Sequence, residues 1–200
     1  MKQTKALMFV LVLALFGFPL KGFAETHSRD SWYIGFGLGA GLTAKYTIKD
    51  GPTRTFDDDF SGATSKSPQT ALNFKVGATL SPKSLLGFDV TADGQTASSA
   101  GVDVQEQINN YFLMYTYFPY EEGLFLRLGG GLSGMVSKTP VTTKIYRGFG
   151  VLGGIGYAFW LGKSFNLTLN ADYSMQSYSG ASGEPSQSQF AIVYLGFDWY

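Results

Sequence analysis

Between residues 32 and 46 the sequence reads WYIGFGLGAGLTAKY, and alternate residues fall into two lists. Trp32, Ile34, Phe36, Leu38, Ala40, Leu42, Ala44 and Tyr46 are all apolar or aromatic. Tyr33, Gly35, Gly37, Gly39, Gly41, Thr43 and Lys45 are dominated by glycine. Successive side chains of a β-strand point to opposite faces, so this stretch predicts a strand that is greasy on one side and nearly bare on the other. The same period recurs eight times along the chain. ALNFKVGATL sets Leu72, Phe74, Val76, Ala78 and Leu80 against Asn73, Lys75, Gly77 and Thr79. LLGFDVTAD sets Leu86, Phe88, Val90 and Ala92 against Gly87, Asp89, Thr91 and Asp93. QINNYFLMYTYF is so aromatic that its faces stay open. GLFLRLGGGLSGM opposes its leucines to Arg127 and glycines, GFGVLGGIGYAF opposes Phe149, Val151, Ile155, Tyr157 and Phe159 to glycines, and FNLTLNADYSMQ alternates throughout. QFAIVYLGFDWY places Ala191, Val193, Leu195, Phe197 and Trp199 together. Segments of roughly 10 residues match the length of a tilted transmembrane strand.

The connections repeat a pattern of their own. Residues 81–84, 119–123 and 161–164 are short turns after the second, fourth and sixth segments. Longer polar stretches, 47–70, about 94–104, 137–146 and about 177–188, follow the odd segments. Short turns at one end and long loops at the other is the outer-membrane arrangement, with the short turns in the periplasm. With a periplasmic N-terminus, eight strands return the chain to the side on which it began.

The N-terminal residues supply that topology. Lys2 and Lys5 precede a short apolar run, Pro19 lies near its end, and Gly22, Phe23 and Ala24 offer a small-residue cleavage site. This is the form of a secretory signal peptide, predicted over residues 1–24, which leaves a barrel domain over 25–200. The run is shorter than the ~20 residues of a membrane-spanning helix. The whole chain is formally neutral. Three lysines and no acid leave with the signal, so the mature chain is net acidic. It carries no basic run or stripe, which argues against nucleic acid as a partner. Cys is absent and His occurs once, poor material for a zinc or copper centre. Charged residues are 15% of the chain, aromatics 16%, and 26 residues are Gly; ordinary soluble domains carry about 25% charge.

Volume decides which face is inside. A soluble barrel turns its apolar face inward, and a membrane barrel turns it out. An eight-stranded barrel has an interior that side chains just fill. It cannot accept Trp32, Phe36, Phe74, Phe88, Phe149, Tyr157, Phe159, Phe165, Tyr173, Phe197 and Trp199 together. The expectation is therefore an all-β, eight-stranded antiparallel up-and-down transmembrane barrel. Its glycines face a narrow lumen and make room for Arg127, Lys75 and Tyr194. Trp32, Tyr46, Phe159, Phe165 and Trp199, near strand ends, are expected in interfacial girdles.

With strand number, turn parity and the last strand in view, the chain resembles the small eight-stranded outer-membrane barrels of the OmpX-like and OmpA-barrel-like kind, from about residue 31 to 200. The resemblance implies an outer-membrane location, outer-membrane lipid as surroundings, and the barrel-assembly machinery as a biogenesis partner. YLGFDWY is similar to the family's C-terminal assembly signal, through Tyr194, Gly196, Phe197, Trp199 and Tyr200. The family's members are structural barrels, adhesins, small pores and, rarely, lipid A-modifying enzymes.

Three sets of residues are candidates for a role. Lys75, Asp89, Arg127, Asp172 and Asp198 share the expected interior and predict a network of ion pairs, because an unpaired buried charge is costly. FDDDF, comprising Phe56, Asp57, Asp58, Asp59 and Phe60, lies in the longest loop and is the candidate contact surface for an extracellular ligand. Its three acids lack the glycine-spaced pattern of a calcium loop, so no metal site is assigned. His27, the single His, lies in a tail before the first strand, where a nucleophile, a base and an orienting group are not expected within mutual reach, which leaves no catalytic set and no cofactor motif. The reading is a non-enzymatic outer-membrane barrel acting structurally or through its extracellular loops. A narrow small-solute pore and a soluble periplasmic lipid-binding barrel are the alternatives.

Overall fold

The structure, a computed structural model, describes Arg29 and residues 31–99 and 102–200. The expected signal peptide and His27 lie outside the described residues. Eight long strands form a closed antiparallel barrel: β1 Trp32–Ile48, β4 Thr70–Ser81, β5 Ser84–Ser99, β6 Val102–Tyr117, β7 Gly123–Lys138, β8 Thr143–Trp160, β9 Phe165–Tyr178 and β10 Pro185–Trp199. Between β1 and β4 the chain adds short strands β2 Thr53–Thr55 and β3 Ser65–Lys66, and one turn of helix, α1 Phe56–Asp59. Each long strand pairs with its neighbour in sequence, β1 with β4 across the excursion. The seam closes where β1 pairs with β10 from Ile34↔Trp199 to Ile48↔Pro185.

The exterior is apolar. Leu38, Leu72, Phe88, Leu113, Leu128, Phe149 and Val151 all project outward and are exposed. Rings gather outside the turn end of the barrel. Phe165 lies 4.9 Å from Trp199, and Tyr157 lies 4.7 Å from Phe159, ring centre to ring centre. This outward-facing apolar band excludes a lipid-binding barrel of the soluble kind, whose apolar face points inward.

β6, whose faces the sequence left open, turns Tyr111, Leu113, Tyr115 and Tyr117 outward and buries Ile108, Asn110, Phe112 and Met114. The lumen therefore takes several large side chains as well as glycines. Phe112 and Met114 fit because a glycine faces each of them. A Cβ on Gly150 would come within 2.9 Å of the Phe112 ring, and one on Gly129 would collide with Met114. Gly156 makes the same room for Phe125, and Gly37 and Gly39 make it for Tyr194.

Two expectations are corrected. The alternation in β1 does not run unbroken to Tyr46. A bulge between Gly41 and Thr43 leaves Leu42 and Thr43 both exposed and shifts the phase. An extra residue in one strand reverses the faces beyond it. Ala44 and Tyr46 are accordingly inside the barrel, and Tyr46 is not a girdle residue. The long connections are also shorter than their polarity suggested. β5 and β6 pair out to Ser99↔Val102, and β7 and β8 out to Lys138↔Thr143. Polar sequence there is strand that continues beyond the apolar band.

Gly37 tests the packing. A Cβ at this position would lie 2.5 Å from the Tyr194 ring. Gly37→Val should cost about 1–3 kcal/mol through overpacking and lower the denaturation midpoint of the refolded barrel. Ala40→Val, on the lipid side of the same strand, should leave it unchanged.

Candidate functional site

Arg127 occupies the middle of the lumen, projected inward by β7 into space that Gly154 leaves open. Its Nη2 pairs with Asp89 of β5. Its Nη1 donates to the Tyr194 hydroxyl at 2.6 Å, and its Nε lies 3.6 Å from Asp172 Oδ1. The Tyr194 hydroxyl in turn donates to Asp172 Oδ2 at 3.0 Å. Lys75 Nζ lies 2.9 Å from Asp198 Oδ1, in room left by Gly35. The five charged residues expected in the interior are thus brought together, and all are buried. Carboxylates outnumber cations in the cluster, and neutral donors meet the excess: Tyr194 on Asp172, and the Asn73 amide 3.5 Å from Asp89. A void of about 10 Å³ borders Lys75, Asp89, Arg127 and Asp198, room for about one water.

Apolar layers lie above and below this cluster. Toward the turns, Tyr33, Leu85, Phe118, Phe125 and Ala158 form a buried group, joined by Tyr200. Arg29 closes that mouth. Its guanidinium lies 3.7 Å from the centre of the Phe118 ring and 5.6 Å from that of Tyr200, and it donates to the Glu121 carbonyl. No sequence signal marked Arg29. Its partners stand at the ends of β6, β8 and β10, strands that are not neighbours, and they meet only across the mouth of the closed barrel. Of the expected assembly signal, Phe197 and Trp199 face outward, Tyr194 and Gly196 face the lumen, and Tyr200 packs 5.8 Å from Tyr33.

At the loop end, Phe56 and Phe60 are 1% and 2% exposed. They are therefore not an exposed aromatic contact surface. The turn of helix between them lowers both rings into the mouth, against Tyr46, Ala71, Ile108 and Phe190. Thr55 caps that turn. Its hydroxyl accepts from the Asp58 amide at 3.1 Å, and the Asp58 carboxylate accepts from the Thr55 amide at 2.7 Å, a capping box in which aspartate takes the usual glutamate's place. The Thr55 backbone amide first, and the Thr55 side chain after it, hold the Asp58 carboxyl below its usual range. Burial pushes Asp59 the other way, opposed by the hydrogen bond from Tyr46 at 2.7 Å. Asp57 faces Lys66 at 3.2 Å. The three acids thus have separate partners, and among the described residues no group of acids and histidines is placed to hold a metal ion.

No family model matches this sequence, and a comparison with curated proteins found no match. Solved structures do match. Ail, the attachment invasion locus protein of Yersinia pestis, solved in complex with the heparin analogue sucrose octasulfate, superposes with a TM-score of 0.53 at 12% identity, over 85% of this chain and 99% of that one. Neisserial surface protein A superposes with a TM-score of 0.52 at 14% identity, over 88% of this chain and 99% of that one. The chain has the fold of the small outer-membrane β-barrels. At such low identity the shared property is the barrel alone.

Arg127→Ala leaves Asp89 and Asp172 buried without their cation, a loss of roughly 3–5 kcal/mol for a broken buried pair. The temperature at which the boiled and unboiled forms interconvert should fall sharply while conductance stays near baseline, because the aromatic layers remain. A large rise in conductance with unchanged melting would show that Arg127 gates a pore. Phe56→Ala should instead expose residues 49–69 to added protease while the barrel keeps its unboiled mobility. An intact loop in that variant would mean that Phe56 does not anchor it.

Proposed function

We propose that this barrel is a non-enzymatic outer-membrane protein whose lumen is a structural core and whose extracellular end does its work. The observation that carries the reading is the filled interior: aromatic layers at both mouths and an ion-paired layer between them. Aqueous channels generally need more strands than eight. A catalytic reading would need a nucleophile, a base and an orienting group in mutual reach on an accessible surface. The lumenal carboxylates are engaged with Arg127 and Lys75 inside a closed core, and this supports a structural role for them.

The extracellular end is the part with freedom to vary. β5 to β8 continue past the apolar band, and residues 49–69 fold over the mouth. Exposed loops on a rigid barrel are where binding residues concentrate. Ail, solved in complex with a heparin analogue, offers a precedent for a barrel of this shape that takes a ligand. In this reading outer-membrane lipid surrounds the apolar band, and the last strand, Tyr194 to Tyr200, is what the barrel-assembly machinery engages.

The test is single-channel recording on the refolded barrel, residues 25–200, in a planar bilayer. Folding is checked by the mobility difference between boiled and unboiled samples. A folded and electrically silent barrel is expected. A steady ohmic conductance would overturn the reading and make Lys75, Arg127 and the aspartates pore residues.

A further inference from the structure

Glu106 is buried under the 49–69 excursion with no counter-ion. It stands on β6 opposite Gln95. The outward residues at this height, Gln105, Gln107 and Asn109, form a chain of side-chain hydrogen bonds, so Glu106 lies above the apolar band. One carboxylate oxygen accepts from the Ser137 hydroxyl of β7 at 2.7 Å, and the other, also buried, has no partner among the described residues. Val104 and Ile108, the inward residues on either side of it, pack in the apolar cluster to which Phe56 and Phe60 belong. Ala97, across β5 from Val104, and Met135, across β7 from Ile108, are in the same cluster. The rings of the excursion are thus part of what keeps water from this carboxyl. The titratable groups that face it are Asp59 of α1, Tyr46 of β1 and Tyr146 of β8. Among the described residues no cation pairs with it. Arg54 pairs with Asp59 at 3.7 Å from a half-exposed position, and Lys66 pairs with Asp57. Burial pushes the Glu106 carboxyl up to about 7; the Ser137 hydrogen bond opposes this rise and the Asp59 charge adds to it.

We propose that the excursion is a proton-latched lid: a neutral Glu106 lets α1 stay seated in the mouth, and an ionised Glu106, facing Asp59 in an apolar seat, lifts it. A carboxylate without a counter-ion is costly to hold out of water, and a like charge beside it adds to the cost. The barrel wall around Glu106 is fixed by its ladders, so water reaches the carboxylate when the lid rises. The span over α1 is built to move as a unit. Its amides at Phe60, Ser61 and Ala63 donate to the Phe56, Asp58 and Phe60 carbonyls, within the span itself. Its ends are tethered, through β2 on β1 and β3 on β5, and through Gln69, whose side-chain amide donates to the buried Asp93. The seated state holds the proton more tightly than a lifted state in which Glu106 meets water at its ordinary value of 4.5. Seating is therefore strongest below that value, weakens as pH rises toward about 7, and changes little above it. Lifting turns Phe56 and Phe60 out of the mouth, so the proton sets whether the extracellular end is closed or presents two aromatic rings.

This regulation acts on the extracellular end that the reading above makes the working surface, yet its test is separate: a conducting barrel would overturn that reading and leave the latch to be decided on its own. The chain has no cysteine, so Ser61→Cys, at an exposed position of the lid, gives a single site for a nitroxide label. The labelled barrel is refolded into phosphatidylcholine bilayers, whose headgroups do not titrate in the range used, and the spectrum is followed with pH. The ratio of mobile to immobile label should rise about tenfold or more between about pH 5 and about pH 8. Glu106→Gln, which keeps the shape and stays neutral, should retain the unboiled mobility and hold the label immobile throughout. Ser137→Ala removes the donor that favours the ionised form, so in that variant the rise should be larger and should continue to higher pH. A label equally immobile at both ends of the range would overturn the proposal. So would a rise that survives in Glu106→Gln, and one that survives there but disappears in Asp93→Asn would assign the latch to Asp93 instead.

Discussion

Backbone hydrogen bonds dictate this structure. Hydrocarbon offers no partner to an N–H or C=O, so a chain that crosses it with strands must pair the first strand with the last. Here the seam between β1 and β10 does so from Ile34↔Trp199 upward. Everything else adapts to closure at eight strands. The barrel so formed has a small interior, and the interior decides the sequence of the inward faces. Glycine sits at Gly37, Gly39, Gly129, Gly150 and Gly156 because Tyr194, Phe112, Met114 and Phe125 already occupy the volume their side chains would need. The run of glycine in β1 is thus the negative image of β10.

The same confinement explains the charges. A lumen closed by rings at both mouths is a poor solvent for an ion, and Arg127 is tolerable there only in company. Its guanidinium reaches Asp89, Asp172 and Tyr194, residues from β5, β9 and β10. A fork of donors can tie together strands that are not neighbours in the sheet. Ladder bonds join each strand to the next, and the arginine joins them across the barrel. That argues for a role in fixing the cross-section of the barrel more than in adding net stability, since a buried ion pair can do little better than offset its desolvation.

Much of this was legible in the sequence because lipid and lumen demand opposite residues at alternate positions. Phe74 against Lys75 or Leu128 against Arg127 could be read directly, and Tyr194 was expected in the lumen. The reading failed where alternation lost its contrast. β6 carries Phe112 and Met114 inside and Tyr111 and Leu113 outside, so both faces are apolar and neither could be chosen. In β1 the phase changes at Leu42, and nothing in GLTAKY shows that a residue is left over; the bulge becomes visible only once β10 is laid beside it. Above the membrane band a strand needs no apolar face, and for that reason residues 95–99 and 143–147 looked like loop. Phe56 and Phe60 were noticed as aromatic residues in a polar loop, but their burial depends on a mouth that eight distant segments build.

The two ends of the barrel follow from the same accounting of backbone groups. Below, turns of a few residues leave little to satisfy, and Arg29 with Tyr200 closes what remains. Above, strands of unequal length rise into water, and each difference in length between neighbours exposes an edge. At β5 the chain spends its longest excursion covering the difference with β3 and burying Phe56 and Phe60 in the mouth. At β8 the connection over residues 179–184 leads directly down into β10, and its contact with that edge is the Ser179–Arg147 bond. A loop long enough to cover one edge and a neighbour too short to cover the other make the sheet one-sided, and its open side is flanked by lysine and arginine. In a molecule whose interior is closed and whose flank is committed to lipid, these differences in length between neighbouring strands set the shape of the extracellular end.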